Sequence, residues 1–377
     1  MRIAHISTQR GWGGGEQQAA LLIAGLASRG HRSLVLARAG GEFAQRMAAV
    51  GVECGTFAGG GRNPGALWQL RRQLAAWRPD VVHFHDAHAL SGGGLACWRL
   101  PIAARIVSRK VMFPVRHAWR YRQFADRVIC VSQAVAECCR ASGLPADRLR
   151  VVYDGLDPAL VEAASRARGR ESVRVSPDEL LMLSVGSLSN VKGHRHLLAA
   201  LRSVVAMYPQ VRLAIAGDGP LEESLRRRAN ELGLAGVVRF LGYRRDVPDL
   251  VRAADLFVLP SLMEGMCSTL IDVMIARCPI VASAVGGVPE VLGANASTAP
   301  APVATAPIAP VSNVQPLGRL VPPADEAALA TAICESIAGL ADSAAQLNRA
   351  REHALRHFTA ERMVEATLSV YRDVLAA

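Results

Sequence analysis

The feature that most constrains this chain is a repeated unit: a short apolar run stops at a glycine or polar turn, and a run with helical spacing follows. Residues 2–7 lead into Gly11-Trp-Gly-Gly-Gly-Glu16, and residues 17–28 then carry Ala20, Leu21, Ala24 and Leu26 at helical spacing. β runs at 31–37, 52–57 and 79–85 continue the pattern around a helical run at 66–77. It resumes at 180–188, 213–220, 221–232 and 237–245. Alternation of this kind builds an α/β fold with a parallel sheet and right-handed crossovers. A chain of 377 residues accommodates two such domains, and 51% apolar with 20% charged residues is an ordinary globular composition. Residues 158–177, polar and rich in arginine, read as the connection between them.

The net charge of +11 attracts anions without choosing among nucleotide phosphates, anionic lipids and nucleic acid. Eight cysteines include no Cys-x-x-Cys and lie mostly in apolar runs, the usage of free thiols in a reducing cytosol. The amino terminus reads as a strand and not as a secretion signal, and no uninterrupted apolar stretch is long enough to span a bilayer.

The candidate chemistry centres on residues 259–272, Leu-Pro-Ser-Leu-Met-Glu-Gly-Met-Cys-Ser-Thr-Leu-Ile-Asp. An apolar strand ends at Pro260-Ser261, and Glu264 and Asp272 follow at a spacing of eight. In open α/β sheets ligands sit beyond the carboxyl ends of the strands, so the two carboxylates suit one ligand gripped at two places. A loop acid beside a solvated helix acid is the alternative. Lys192, at a strand-to-helix junction, is placed either to meet a phosphate or to be solvated. The glycine loop at 11–16 either cradles a phosphate or makes a tight turn. His83 and His85 share one face of a strand, with His85 at its carboxyl end. Together with His88 and Asp86 they admit a metal-cluster reading, although the His-x-x-x-His helical spacing is lacking.

Residues 87–125 contain no Asp or Glu, but they carry seven cations, Arg116, Arg120 and Arg122 among them, interleaved with aromatics. Such a stretch lies on an anionic membrane, holds a phosphorylated acceptor, or forms a solvated face over core aromatics.

Asp255-Leu-Phe-Val-Leu-Pro-Ser261 and Pro279-Ile-Val-Ala-Ser-Ala-Val-Gly-Gly-Val-Pro-Glu290 flank the carboxylates and resemble the donor-binding core of family 4 of the glycosyltransferases, the large retaining group with GT-B architecture. The resemblance runs in order over nearly the whole chain. It implies two Rossmann-like domains facing across a cleft and a last helix crossing back to the first domain. The bounds are then 1–157 for the acceptor-binding domain, 158–177 for the linker, 178–358 for the nucleotide-sugar domain and 359–377 for the crossover helix. Residues 293–318, rich in Ala and Pro, read as a flexible insertion, and 326–340, 343–357 and 360–375 as three closing helices.

The resemblance also implies roles. His85 and Glu264 are the catalytic pair, both on the transferred sugar. Gly13, Gly14, Ser187, Lys192, Tyr243 and Asp272 bind the donor: the glycines near its diphosphate, Tyr243 beside the base and Asp272 on the ribose. Three positions depart from the family pattern. Asp272 stands for its usual Glu, Ser187 for a phosphate-binding Arg, and Arg277 for a Gly. The reaction implied is transfer from a UDP- or GDP-sugar to a glycan or lipid-linked acceptor, as in bacterial polysaccharide or lipopolysaccharide assembly. No metal, no cofactor and no nucleic acid enter. The setting is cytoplasmic, with Arg116, Arg120 and Arg122 facing the acceptor or the inner membrane surface. A sugar-nucleotide epimerase of the same architecture and a non-catalytic nucleotide-sugar-binding subunit are the alternatives. An NAD-dependent oxidoreductase is disfavoured, because the glycine loop lacks Gly-x-Gly-x-x-Gly and no acid follows at the ribose-reading distance.

Overall fold

The computed structural model describes residues 1–61, 63–294 and 317–377, so the expected insertion at 293–318 falls almost entirely outside the described residues. Two compact units emerge. The first holds Met1–Gly155 together with Ala360–Ala377, and the second holds the described residues between 156 and 359.

Seven strands build the first sheet: β1 Arg2–Ser7, β2 Arg32–Arg38, β3 Glu53–Phe57, β4 Val81–Phe84, β5 Ala104–Arg109, β6 Arg127–Cys130 and β7 Leu149–Val151. All pairings are parallel, in the order β3-β2-β1-β4-β5-β6-β7. The second sheet is β8 Leu180–Val185, β9 Val211–Ala216, β10 Val238–Phe240, β11 Leu256–Leu259, β12 Ile280–Ser283 and β13 Arg319–Val321. It too is parallel, in the order β10-β9-β8-β11-β12-β13. Central strands such as β4 and β11 are buried along their whole length because helices cover both faces, which is why they read as unbroken apolar runs. In each sheet the direction of strand addition reverses once, between β1 and β4 and between β8 and β11. Such a switch point parts the two flanking loops and leaves a crevice at the strand ends.

Residues 158–177 are not a free connection. They fold as the helices Pro158–Glu162 and Arg166–Ser172 and belong to the second unit. Their arginines are consumed there, since Arg166 and Arg170 bond Asp255 at 2.5 and 3.0 Å and Arg168 bonds Asp249 at 2.9 Å. The polarity that resembles a linker is the polar half of these ion pairs.

The helix Ala360–Leu375 packs on the first unit against the helix Gly14–Ala27. Gly25 makes this approach possible, because a Cβ there would fall 2.5 Å from Val364 Cγ2. Met363, Val364, Leu368 and Tyr371 enter a core with Ile3, Leu22, Leu26, Val81 and Ile106. Tyr371 is fully buried, and its hydroxyl lies 2.6 Å from His83 Nδ1. Replacing Tyr371 by Phe keeps the ring and strands that nitrogen, so unfolding in urea should show a loss of about 1–3 kcal/mol. Unchanged stability would mean that the bond contributes nothing net.

Candidate active site

In the second unit the loops after β8 and β11, at the switch point, are knitted together by backbone. Leu262 N donates to Val191 O at 2.8 Å. Gly193 lies at φ +64°, and a Cβ there would fall 2.0 Å from the Pro260 carbonyl oxygen, so the approach requires glycine. This contact sets Lys192, at the end of the short 3-10 turn Asn190–Lys192, against Glu264 with Nζ to Oε1 at 2.6 Å. Ser261 Oγ donates to the same oxygen, also at 2.6 Å. Glu264 is only 7% exposed, so the pair sits in a medium that strengthens it. Burial works to lower the pKa of Lys192, but the Glu264 carboxylate, with Cys267, outweighs it and holds the ammonium above the ordinary lysine value. Cys267 beside it adopts φ +66°, and its thiol is pushed up to about 12, first by burial and then by Glu264. It therefore stays protonated.

Asp272 stands in the first turn of the helix Thr269–Ile275, half-buried and in no ion pair among the described residues. Burial raises its carboxyl to about 7. Ser187 is exposed and its hydroxyl bonds Ser189 Oγ at 3.1 Å, so among the described residues Lys192 is the cation of this loop. Gly242 O accepts from Gly217 N at 2.8 Å, which joins the ends of β9 and β10, while the Tyr243 side chain is 47% exposed. Arg277 takes φ +57°, the conformation its expected glycine would adopt, and turns its guanidinium to Asn348 at 2.8 Å. Sequence reading missed His194. This buried residue follows Lys192-Gly193, is held neutral with a pKa near 4 by burial and then by Lys192, and has an unpartnered Nδ1 among the described residues.

In the first unit the glycine loop follows β1 and His85 follows β4, again at the switch point. Gly13 caps the helix Gly14–Ala27, but its own N–H is donated to Glu16 at 3.1 Å, so part of the loop's donor capacity is used internally. His85 joins a trio that sequence reading did not assemble. His5 on β1 pairs in register with His83 on β4, and His5 Nδ1 lies 3.0 Å from His85 Nε2. His83 is locked between Tyr371 and Ser108 Oγ, the latter at 2.7 Å, which makes it the structural residue of the strand. Burial lowers His5 to about 3 and His83 and His85 well below the usual imidazole value, with Lys110 adding to the effect on the last two. All three rings are therefore neutral hydrogen-bonding groups.

The candidate ligand atoms of His5, His83 and His85 lie within 4.8 Å of one another. Both nitrogens of His83 are already bonded, and His5 Nδ1 and His85 Nε2 bond each other, so hydrogen bonds hold the trio together. The grouping of His83, His85 and His88 with Asp86 does not form. His88 is exposed, and Asp86 caps the helix Ala87–Ala96 while accepting from Thr8 N at 2.8 Å and Thr8 Oγ1 at 2.7 Å. Lys110, also missed, is paired with Asp154 and passes 3.9 Å from where a Cβ on Gly15 would lie.

The cations of 87–125 do not form one open face. Arg105 pairs with Asp126 at 3.0 Å, Lys110 with Asp154, and buried Arg109 reaches Tyr121 Oη at 3.5 Å. The acids come from outside the acid-free window. Arg120 bonds Ser91 Oγ at 3.2 Å and Arg122 the Gly143 carbonyl at 2.7 Å, while Arg116 is exposed. All eight cysteines are free, and no helix among the described residues is long and apolar enough to cross a membrane.

Residues 12–160 match the family model Glycosyltransferase Family 4, and residues 165–309 match Glycosyl transferases group 1. An uncharacterized glycosyltransferase of Methanocaldococcus jannaschii is 28% identical over 56% of this chain and 60% of its own length. A D-inositol 3-phosphate glycosyltransferase of Saccharomonospora viridis is 30% identical over 67% of this chain and 57% of its own. The chain spans 41 to 60% of the length of the first curated relatives it matches. In fold it is similar to Anabaena HepE, solved with UDP and glucose, at a TM-score of 0.84, 21% identity and 99% coverage of each chain. Sucrose-phosphate synthase of Thermosynechococcus elongatus gives 0.77 at 20% identity, covering 100% of this chain and 99% of its own. With two successive family models over its two parallel-sheet units, the chain belongs to the group 1 glycosyltransferases of GT-B architecture.

Proposed function

We propose that this protein transfers a sugar, with retained configuration, from a UDP- or GDP-sugar to a hydroxyl of a glycan or lipid-linked acceptor in cell-surface polysaccharide or lipopolysaccharide assembly. The observation that carries the reading is the buried Lys192–Glu264–Ser261 cluster at the switch point of the second unit. It offers a permanently charged ammonium, whose three protons allow it to reach a diphosphate while still bonding Glu264, next to a carboxylate able to accept from sugar hydroxyls. Among solved relatives in fold, HepE was crystallised with UDP-glucose, which supports a nucleotide-sugar as the donor.

In this mechanism the bond between the anomeric carbon and the diphosphate oxygen breaks while the acceptor oxygen bonds the same face of that carbon. The acceptor's proton passes to an oxygen of the departing diphosphate. Lys192 stabilises the charge that develops there, a contribution specific to the transition state. Glu264 orients the sugar, and neutral His85 is assigned to its hydroxyls as a hydrogen-bonding group. Asp272 takes the ribose hydroxyls, while the Gly13–Gly14 turn and the backbone near Tyr243 complete donor binding. No step requires a metal. We place the protein in the cytoplasm, at the inner membrane face where a lipid-linked acceptor is found.

The test is a panel of UDP- and GDP-sugars, screened by thermal shift and then by transfer, with the product anomer read by NMR. Lys192→Ala should weaken donor binding about 10- to 150-fold and nearly abolish turnover, whereas Glu264→Gln should chiefly lower turnover. Full activity in Lys192→Ala, an inverted product, or activity lost to a chelator and restored by a divalent metal would each contradict the mechanism.

Asp272 adds a pH dependence. Its folded-state pKa of about 7 lies above the ordinary 3.8, so the folded protein holds a proton that the unfolded chain releases, and stability contributed at low pH is lost as pH rises toward 7. Ribose hydroxyls bond the ionised form, so donor affinity should move the other way, rising about tenfold between pH 6 and 8. Titration calorimetry of wild type against Asp272→Asn isolates the effect, because the variant should lack that rise. An identical pH profile in both would remove Asp272 from the donor site.

A further inference from the structure

An open cavity of about 630 Å³ in the first unit lies among the helices Pro64–Trp77, Ala87–Ala96 and Ala118–Phe124, lined by Arg71, Leu95, Trp98, Arg99, Trp119 and Gln123. Buried Phe124 lies at its wall, while three further apolar members face solvent: Leu95 is 49%, Trp98 48% and Trp119 58% exposed. Large apolar side chains scattered singly need no explanation, but two indoles and a leucine on one cavity do. Its cations are not spent on carboxylates. Arg99 has no hydrogen bond or ion pair among the described residues, and Arg71 donates only to backbone, to Ala96 O at 3.1 Å and Trp98 O at 2.6 Å. Those two bonds fix the turn that presents Trp98 and Arg99. Arg120 adds a third cation, 5.5 Å over the Trp119 ring. No acid lines the cavity.

The backbone gives an independent sign. Arg99 sits at φ +58°, just beyond the end of the helix Ala87–Ala96, where glycine would be free of Cβ strain. The turn thus carries a guanidinium in a conformation that disfavours any side chain.

We propose that this cavity seats the phosphate-bearing headgroup of a membrane lipid, with Arg99 and Arg71 on the phosphate and Trp98, Trp119 and Leu95 at the boundary of the acyl chains. Indole rings with an apolar body and one N–H favour that boundary, and guanidinium binds phosphate in bidentate fashion. A soluble anion would account for the arginines but not for the exposed apolar rim. The site goes beyond the donor assignment and does not depend on it, since none of its residues belongs to the transfer machinery.

The experiment is flotation with phosphatidylcholine vesicles, with and without phosphatidylglycerol, at low salt. Wild type should float only with phosphatidylglycerol present. A basic residue near an anionic surface is worth about fivefold in partitioning, so Arg99→Gly should lose about fivefold and Arg99→Glu about 25-fold. Arg99→Gly also relieves the backbone, which guards against a merely misfolded variant. Trp98→Ala with Trp119→Ala should lose at least tenfold, whereas Arg227→Glu, the same charge reversal on an exposed helix of the second unit, should stay within about twofold. Glycerol phosphate or an oligonucleotide in solution should not compete. Equal losses in Arg99→Glu and Arg227→Glu, equal binding to neutral vesicles, no binding at low salt, or competition by either soluble anion would overturn the proposal. Sugar transfer to a soluble acceptor, measured in parallel, would persist in every one of these variants if only the lipid site is at fault.

Discussion

The Lys192–Glu264 pair is the interaction on which the rest of the candidate site depends. A lysine buried alone would shed its proton, and a carboxylate buried alone would take one up. Paired with Glu264, and with Ser261 on the shared oxygen, the Lys192 ammonium keeps its charge in a place where a charge acts strongly because water is scarce. Such pairs contribute little net stability, since desolvation offsets the attraction. In the proposed mechanism their worth is preorganisation, for the ammonium is charged and positioned before the donor diphosphate arrives. Gly193 is what permits the geometry, as any Cβ there would force the β8 loop away from Pro260 and separate the pair.

The two units solve the placement of functional groups in the same way. Each parallel sheet reverses its order of strand addition once, and each places its candidate groups on the two loops at that reversal: the glycine loop and His85 after β1 and β4, Lys192 and Glu264 after β8 and β11. The first unit adds a support from the far end of the chain. Tyr371 on the last helix bonds His83, which stacks on His85 with ring centroids 4.4 Å apart, and His5 holds His85 from the neighbouring strand. The orientation of His85 is thus set by residues remote in sequence, and its neutrality follows first from burial, with the neighbouring imidazoles and Lys110 further disfavouring a proton on it.

Much of this was legible in the sequence because it depends on local pattern. Apolar runs ending at glycines located the strands, and the position of Glu264 just past an apolar run placed it at a strand end. What escaped reading depended on partners distant in sequence. His5 lies in an apolar run with nothing local to mark it, and only the β1–β4 register sets it against His83. The polar segment at 158–177 resembled a linker because its arginines find Asp249 and Asp255 some 80 to 90 residues later. The basic stretch at 87–125 looked unopposed because Asp126 and Asp154 lie outside it. Arg277 read as a departure from the family's Gly, yet it takes the glycine's left-handed conformation and bonds Asn348.

The central claim is that the Lys192 ammonium, presented by Glu264, receives the donor diphosphate. The most direct measurement is a crystal structure with UDP or GDP bound. The account predicts a β-phosphate oxygen about 2.7–2.9 Å from Lys192 Nζ, with Glu264 Oε1 still bonded to Ser261 or to the ammonium. A well-ordered diphosphate bound elsewhere, with Lys192 bonded to Glu264 alone, would contradict it.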